Sequence, residues 1–145
     1  MSTKHMLLLG VGFPPADVDA PLYSSSDVGE VGDTVIAVLF NEAITSDLGL
    51  YDLGVTIKRN AVTQIINSAV LQAGSMSVYY TINATCDGDD DVTFAYSDIL
   101  GDIRDLAGNQ LGDVAATTVA NTINTRWWFD RAQDSSHLLT VGLLR

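Results

Sequence analysis

Residues 92–109 restrict the fold of this chain more than any other stretch, because they join a strand to a polar crossing. Val92, Phe94 and Tyr96 occupy every second position, which is the pattern of a strand with one buried face. A strand that must bury only one face needs a second apolar layer opposite it. The stretch therefore favours a two-layer β fold.

The crossing that follows this strand carries two apolar residues and a turn signal. Ile103 and Leu106 are predicted to anchor it to an apolar core. Gly108 and Asn109 are residue types that tolerate positive φ, so they predict a turn there. A second β-prone run then covers residues 114–123. A strand, an anchored corner and a return strand are typical of a Greek-key sandwich.

The rest of the chain predicts further short strands and no helix long enough to pack. Its β-prone runs are residues 22–27, 34–40, 55–58, 62–66, 69–71 and 77–83. Residues 34–40 are nearly continuously apolar, so both faces of that strand are expected to be covered. Arg59 and Asn60 predict a tight hairpin turn. The fold class is therefore all-β, a single Ig-like Greek-key β-sandwich of about seven strands.

A family resemblance rests on three segments. The segment VTFAYSDILGDIRDLAGNQL (92–111) resembles the closing motif of SwmB-type Ig-like repeats, found in bacterial surface and phage proteins. GDTVIAVLFNEAI (32–44) and GVTIKRNAVTQI (54–65) are similar to two earlier strands of those repeats. The resemblance covers about residues 21–123 and implies an Ig-like fold. The chain departs from the family in carrying one copy, with added flanks.

The prolines mark a boundary in front of the sandwich. Pro14, Pro15 and Pro21 are the only three in the chain, and they stiffen an extended link. We therefore predict an N-terminal arm at 1–20, the sandwich at 21–123 and a C-terminal arm at 124–145. Each arm contains a short apolar, β-prone run outside the predicted sandwich.

The charge balance excludes several classes of function. The chain has 145 residues and a formal net charge of −11, so it has no basic surface to meet nucleic-acid phosphates. Residues 21–123 hold 14 acidic and 3 basic side chains. No apolar run reaches the roughly 18 residues of a membrane helix, and the first residues do not read as a signal peptide. We expect neither a nucleic-acid nor a membrane partner.

The candidate chemical sites are few. The acidic residues 87–91 predict a turn with solvated charges, and the alternative is a calcium site. Asp98, Asp102 and Asp105 are expected at the same end of the sandwich. Their spacing lacks the calcium-loop pattern, and Arg104 is expected to pair locally with the aspartates beside it. Cys86 stands beside this acidic turn, which disfavours its thiolate. No catalytic motif occurs, so the prediction is no enzyme, no metal and no cofactor.

The strongest functional signal is apolar. Trp127, Trp128 and Phe129 are adjacent in the sequence. Three adjacent aromatic residues cannot all face one core in a strand, because successive side chains point to opposite faces. Aromatic side chains often dominate protein interfaces. The alternative is a tail folded back over its own sandwich. The predicted interface residues are Leu7, Leu8, Leu9, Trp127, Trp128, Phe129, Leu138, Leu139, Leu143 and Leu144.

These features together predict a non-enzymatic structural protein of a bacteriophage virion. A head decoration or cement protein attached through its arms comes first, and a tail- or fibre-associated protein second. The partners expected are other virion proteins and further copies of the chain, in an oligomeric assembly. The alternative, which the resemblance implies, is a bacterial cell-surface adhesion module that binds carbohydrate or protein.

Overall fold

The computed structural model describes residues 14–123, and this part of the chain is all-β. Seven of its eleven strands have five or six residues, and four have two or three. The strands are β1 (Tyr23–Val28), β2 (Val35–Phe40), β3 (Ile44–Ser46), β4 (Val55–Arg59), β5 (Val62–Thr63), β6 (Ile66–Leu71), β7 (Ser77–Ile82), β8 (Val92–Tyr96), β9 (Ile103–Asp105), β10 (Val114–Thr118) and β11 (Ala120–Asn121). The predicted all-β sandwich is confirmed, but about seven strands is too low a count.

The strands form two main sheets and a ribbon. One sheet has the order β11-β1-β2-β7-β6, the other has the order β10-β8-β4-β5, and β3 pairs with β9. The order β1-β2-β7-β6 facing β4-β8-β10 is that of a constant-type Ig sandwich. The crossing that follows β8 forms one strand of the ribbon, which lies at one end of the sandwich.

Alternation along the strands produces the core. In β2, β7 and β8 every second side chain is buried, so one row from each sheet points inward. Phe94 of β8 lies at the centre, with its ring centroid 5.9 Å from that of Tyr80 and 5.7 Å from that of Tyr23. The Tyr80 hydroxyl donates to the Tyr51 carbonyl at 2.8 Å, and burial raises the pKa of this hydroxyl. The buried phenol is therefore satisfied in its neutral form.

Strand β2 corrects an expectation. Both of its faces were predicted to be covered, yet Leu39 is 42% exposed while Val38 and Phe40 are fully buried. The reason is that β2 belongs to an antiparallel sheet with one layer packed against it, so its other face meets solvent. A continuous apolar run does not distinguish these two situations.

The predicted hairpin exists, with its turn one residue later than expected. Asn60 and Ala61 occupy the turn at φ values of 50° and 66°, between β4 and β5. The predicted strand at 62–66 divides into β5 and the start of β6. The division occurs because the chain passes from the four-stranded sheet to the five-stranded sheet at this point.

The crossing after β8 is anchored differently from the prediction. Ile103 is fully buried as expected, but Leu106 is 74% exposed. Two carboxylates, Asp102 and Asp105, are buried instead. Gly108 adopts the predicted positive φ, at 99°, and Asn109 does not. The crossing is therefore held by one apolar side chain and two hydrogen-bonded acidic ones.

The two ends of the sandwich have different occupants. Strand β1 pairs in parallel with β11, Asp27 opposite Ala120 and Val28 opposite Asn121. The chain therefore enters the sandwich at the end that carries the β3–β9 ribbon, here called the corner end. It leaves at the opposite end, here called the loop end, where residues 87–91 connect β7 to β8.

Two substitutions test how the crossing is anchored. Ile103→Ala should lower the free energy of unfolding by about 2–4 kcal/mol, because it removes buried methyl groups and leaves a cavity. Leu106→Ala should change it by less than about 0.5 kcal/mol, because that side chain is mostly exposed. Urea denaturation monitored by far-ultraviolet circular dichroism measures the free energy of unfolding of both variants. Equal losses in the two variants would contradict the described anchoring.

Candidate functional site

An asparagine clamps the incoming chain at the corner end. The Asn109 side-chain amide donates to the carbonyls of Asp17 and Asp19, at 3.1 and 3.0 Å, and to Asp105 Oδ2 at 2.7 Å. The backbone N–H of Asn109 donates to Asp105 Oδ1 at 2.8 Å. The turn through Gly108 brings this side chain back over β9. Part of the predicted N-terminal arm is thus bonded to the sandwich.

A second polar cluster joins β3 to β9 at the same end. Asp102 Oδ2 accepts hydrogen bonds from the Ser46 hydroxyl at 2.9 Å and from the Leu48 N–H at 3.0 Å. Arg104 binds Asp102 Oδ1 at 2.5 Å and Asp47 at 3.3 Å. The Leu48 N–H, followed by Arg104, lowers the pKa of Asp102. Arg104 pairs locally as predicted, but with Asp47 in place of Asp105.

The corner end also gathers carboxylates. One oxygen each from Asp17, Glu42 and Asp105 lie within 4.8 Å of one another. Removal from water, and then the charges of Asp17, Asp105 and Asp19, raise the pKa of Glu42. Three carboxylate oxygens are half or fewer of the roughly six to eight that Ca²⁺ takes. The direct chemical consequence of the cluster is that removal from water, together with repulsion from the neighbouring carboxylates, makes Glu42 harder to ionise than an exposed glutamate.

Asp105 itself behaves in the opposite way. Its burial acts to raise the pKa, but hydrogen bonds from the Asn109 side chain and from backbone N–H groups outweigh it and lower the pKa. The buried carboxylate is therefore stable as an anion because Asn109 solvates it. Asp105 and Glu42 are neighbours with opposite pKa shifts.

The acidic residues at the loop end have structural partners. Asp90 accepts from the Asp87 N–H at 2.8 Å and from the Asn60 side chain at 2.5 Å, and its carboxylate lies 3.5 Å from Arg59. These contacts, led by the Asp87 N–H, lower the pKa of Asp90. Asn60 also accepts from the Asp91 N–H at 2.9 Å. The loop is thus tied to the β4–β5 turn.

A second asparagine clamps the outgoing chain at this end. The Asn121 side-chain amide donates to the carbonyls of Asp87 and Asp90, at 2.7 and 3.1 Å. Thr122 follows it and donates twice to the Val28 carbonyl, from its N–H and its hydroxyl. Asn121 and Asn109 therefore have the same role at opposite ends, each bonding a chain terminus of the sandwich to a loop.

The structure does not bring together the acidic residues named for the calcium alternative. Residues 87–91 were expected at the same end as Asp98, Asp102 and Asp105, but β8 separates them lengthwise. In the described part of the chain, the only acidic group with metal-ligand spacing is the one at the corner end. Within the loop, the Asp90 carboxylate accepts from Asn60, and the Asp87 and Asp90 carbonyls accept from Asn121. Sequence distance along an Ig-like chain is a poor guide to which end a loop occupies.

Cys86 is buried, with 2% of its surface exposed. Burial first, and then the charge of Asp90, raise the pKa of its thiol. This agrees with the expectation that its thiolate is disfavoured. The predicted interface residues at 7–9, 127–129, 138–139 and 143–144 lie outside the described residues. Within 14–123, no helix is long and apolar enough to span a membrane.

Neither asparagine was identified from sequence. Asn109 was interpreted as a turn residue because it follows Gly108, and Asn121 lies inside a β-prone run. The available signal was weak, since a polar amide at the edge of a β run is compatible with simple exposure. Only the folded topology shows that each reaches two carbonyls of a distant segment.

No protein-family model and no curated protein matches the chain. Among solved structures it is similar to the S-layer protein rSbsC(31-844), with 18% identity and a TM-score of 0.55 over 72% of this chain and 14% of that chain. It is also similar to the N-terminal part of the bacterial S-layer protein SbsC, with 17% identity and a TM-score of 0.54. That match covers 69% of this chain and 23% of the other.

A third structure, domains 1-6 of the surface layer protein SbsC, has 15% identity and a TM-score of 0.54 over 86% of this chain and 16% of that one. The chain thus spans less than a quarter of the length of each of these proteins. At these identities the likeness concerns the fold. The structural neighbours are domains of bacterial surface structural proteins.

The carboxylate cluster predicts an unusual effect of substitution. Glu42→Gln should raise the urea midpoint at pH 7, because it removes a carboxylate whose charge is disfavoured by its removal from water and by repulsion from Asp17 and Asp105. The folded-state pKa of Glu42 is above its ordinary 4.5, so its ionisation costs stability as pH rises through that pKa. The gain should therefore vanish as pH falls toward 4.5. Denaturation with EDTA present, across this pH range, measures it.

Asp89→Asn is the matched control, since Asp89 is exposed at the loop end. It should leave the midpoint within error of the wild type. A lower midpoint for Glu42→Gln in EDTA would mean that the Glu42 carboxylate has a favourable partner, against the repulsion described.

Acid should act on the clamps with the opposite sign. Asp90, Asp102 and Asp105 have folded-state pKa values below their ordinary 3.8. Their contribution is present above about pH 4 and is lost as pH falls through the lower folded values. Stability should therefore rise slightly from pH 7 toward about 4.5 and fall steeply below pH 4. A monotonic loss of stability from pH 7 downward would contradict the opposite pKa shifts of Glu42 and of these three aspartates.

Proposed function

We propose that this chain is a non-enzymatic structural domain, a spacer within an extended protein at a bacterial cell surface. The observation that carries the proposal is the parallel pairing of β1 with β11. It directs the chain into the sandwich at one end and out at the other. A domain with this geometry can be linked end to end with others, and it transmits tension along its length.

The clamps support this proposal. Tension between residues 14 and 123 pulls β1 and β11 in opposite directions along their axes, so their hydrogen bonds are loaded together in shear. Asn109 and Asn121 bond the incoming and outgoing segments to loops at the two ends. The two asparagines thus bond backbone carbonyls at both ends of the sandwich internally. For a spacer, ends held by such bonds matter more than an open binding cleft.

The likeness to surface-layer proteins favours the cell-surface alternative over the virion. Those neighbours are structural proteins, and this chain matches one domain-sized portion of each. The expectation of a phage decoration protein has no support from these comparisons and stays a prediction. It depended on arm residues outside the described part of the chain.

Single-molecule stretching tests the spacer function. The full chain, held by handles at both ends, should resist and then unfold in one step. The step should lengthen it by about 30–33 nm, since roughly 100 residues extend to at most about 36 nm and the folded domain already spans a few nanometres of that. Gradual extension without a force peak would contradict the proposal, as would unfolding of the two sheets in separate steps.

Glycine substitutions provide a matched pair for this test. Gly29 has φ +112°, and a β carbon there would lie 2.5 Å from the backbone nitrogen of Ile123. Gly29→Ala should therefore separate β11 from β1 and lower the rupture force. Gly74→Ala imposes a similar backbone strain at φ +90°, with no atom within 4 Å, and lies in the β6–β7 turn. It should leave the rupture force unchanged.

A further inference from the structure

The sandwich has one long side without charge. Residues 60–86 contain no Asp, Glu, Lys or Arg, although the chain has a net charge of −11. They include β5, β6 and β7, and β5 and β6 are the edge strands of their two sheets. Val62, Ile65 and Val70 on this side are 64%, 67% and 54% exposed. We call β5, β6 and the residues joining them the uncharged side.

Among the described residues 14–123, strand β6 has no strand on its outer side, which makes it an edge suited to pairing. With six residues it is the longest edge strand among those described, since β5 and β11 have two and β10 has five. It has no proline, lysine or acidic residue, which are the usual protections of such an edge. A register shift lies between Ile66 and Ser68, so residues 68–71 remain regular.

The hydrogen-bond phase shows which groups face outward. Gln72 donates to the Ser77 carbonyl, and in the same register Val70 lies opposite Tyr79 and Ser68 opposite Thr81. Alternation in an antiparallel ladder directs the N–H and C=O groups of these residues toward β7. The backbone groups of Ala69 and Leu71 therefore point to the open edge. The side chains of Ala69 and Leu71 pack against the core, which fixes the orientation of the β6 edge.

We propose that the β6 edge pairs antiparallel with β6 of a second copy of this chain, joining two five-stranded sheets into one. In the two-fold arrangement Ala69 of each copy exchanges hydrogen bonds with Leu71 of the other. Val70 then lies opposite its own equivalent, beside the half-buried Tyr79 of each sheet.

Charge favours a second copy on this side. Two chains of −11 repel, and the contact that brings the fewest carboxylates together is the one through residues 60–86. Because β6 is uncharged, pairing two copies of it requires no residue of opposite charge in either copy. The pairing rests on the proposed function only in its consequence, which is to join spacers side by side. The joining is lateral because β6 runs along the long axis of the sandwich, from the corner end to the loop end.

Cysteine cross-linking in the full chain tests this register. In a non-hydrogen-bonded antiparallel pair the Cα atoms are about 4.5 Å apart, within the range of a disulfide. Val70→Cys should therefore yield a covalent dimer on mild oxidation. Ser68→Cys should not, because two copies of residue 68 would be offset by four positions, about 13 Å. Cys86 is buried and does not compete.

Ala69→Pro tests the backbone pairing. It removes an N–H that points to the edge and leaves the bonds between β6 and β7. It should weaken dimerisation on the order of 30-fold, from two lost hydrogen bonds per dimer, and slow the Val70→Cys cross-linking in proportion. Ala116→Lys, an exposed change on edge strand β10, should leave both unchanged. Circular dichroism checks that each variant is folded.

Three results would overturn the proposal: a Val70→Cys protein that stays monomeric, equal cross-linking of Ser68→Cys, or cross-linking that is as fast in folded Ala69→Pro as without that substitution. If Ala69→Pro does not fold, Val70→Lys replaces it and should prevent dimerisation. The stretching experiment uses single chains, so its outcome is independent of this one. Loss of dimerisation with a retained force peak would reject the edge pairing alone, and the reverse would reject the spacer alone.

Discussion

The parallel pairing of β1 with β11 is the constraint on which the rest of the structure depends. Only two residue pairs form the ladder, but Thr122 adds two bonds to the Val28 carbonyl just beyond it. Gly29 makes this approach possible, since any side chain there would meet Ile123. The pairing closes the edge of the five-stranded sheet beside β1. It also makes the chain enter and leave the sandwich at opposite ends.

The incoming and outgoing chain segments at these ends are held by the same chemical device. A side-chain amide reaches two carbonyls of a segment that no ladder covers, and it does so at Asn109 and again at Asn121. An amide suits this role because it has two N–H donors and carries no charge, so it bonds to carbonyls without an ionic partner. In a chain this acidic, a lysine or arginine would also attract every carboxylate nearby. Amide clamps avoid that competition.

The fold was predictable from sequence because it follows from alternation. Phe94 and Tyr96 stand two positions apart on one strand, and their burial needs only a second layer. The corner was less predictable. Leu106 was predicted to be an anchor because it is apolar, but Asp105 is the buried residue. Its burial is possible because Asn109 supplies the hydrogen bonds that the carboxylate loses from water. Such a pair is invisible until the turn brings it together.

The candidate site was harder to predict for a related reason. The acidic run at 87–91 is conspicuous in sequence, yet Asp90 is used to fix its own loop against Arg59 and Asn60. The carboxylates that do approach one another come from residues 17, 42 and 105, which are far apart along the chain. Their proximity depends on the clamp at Asn109, which brings residues 17–19 onto the corner. No local pattern encodes that contact.

Charge separation along the chain links the two proposals. Acidic side chains occur at both ends of the sandwich, whereas residues 60–86 leave one long side neutral. Repulsion between chains of the same charge is weakest where that side meets its equivalent, and there β6 offers backbone groups that no strand within 14–123 pairs with. Repulsion at the ends would oppose direct end-to-end contact between separate copies. Lengthwise connection would then need a covalent link, while lateral connection needs only the edge of β6.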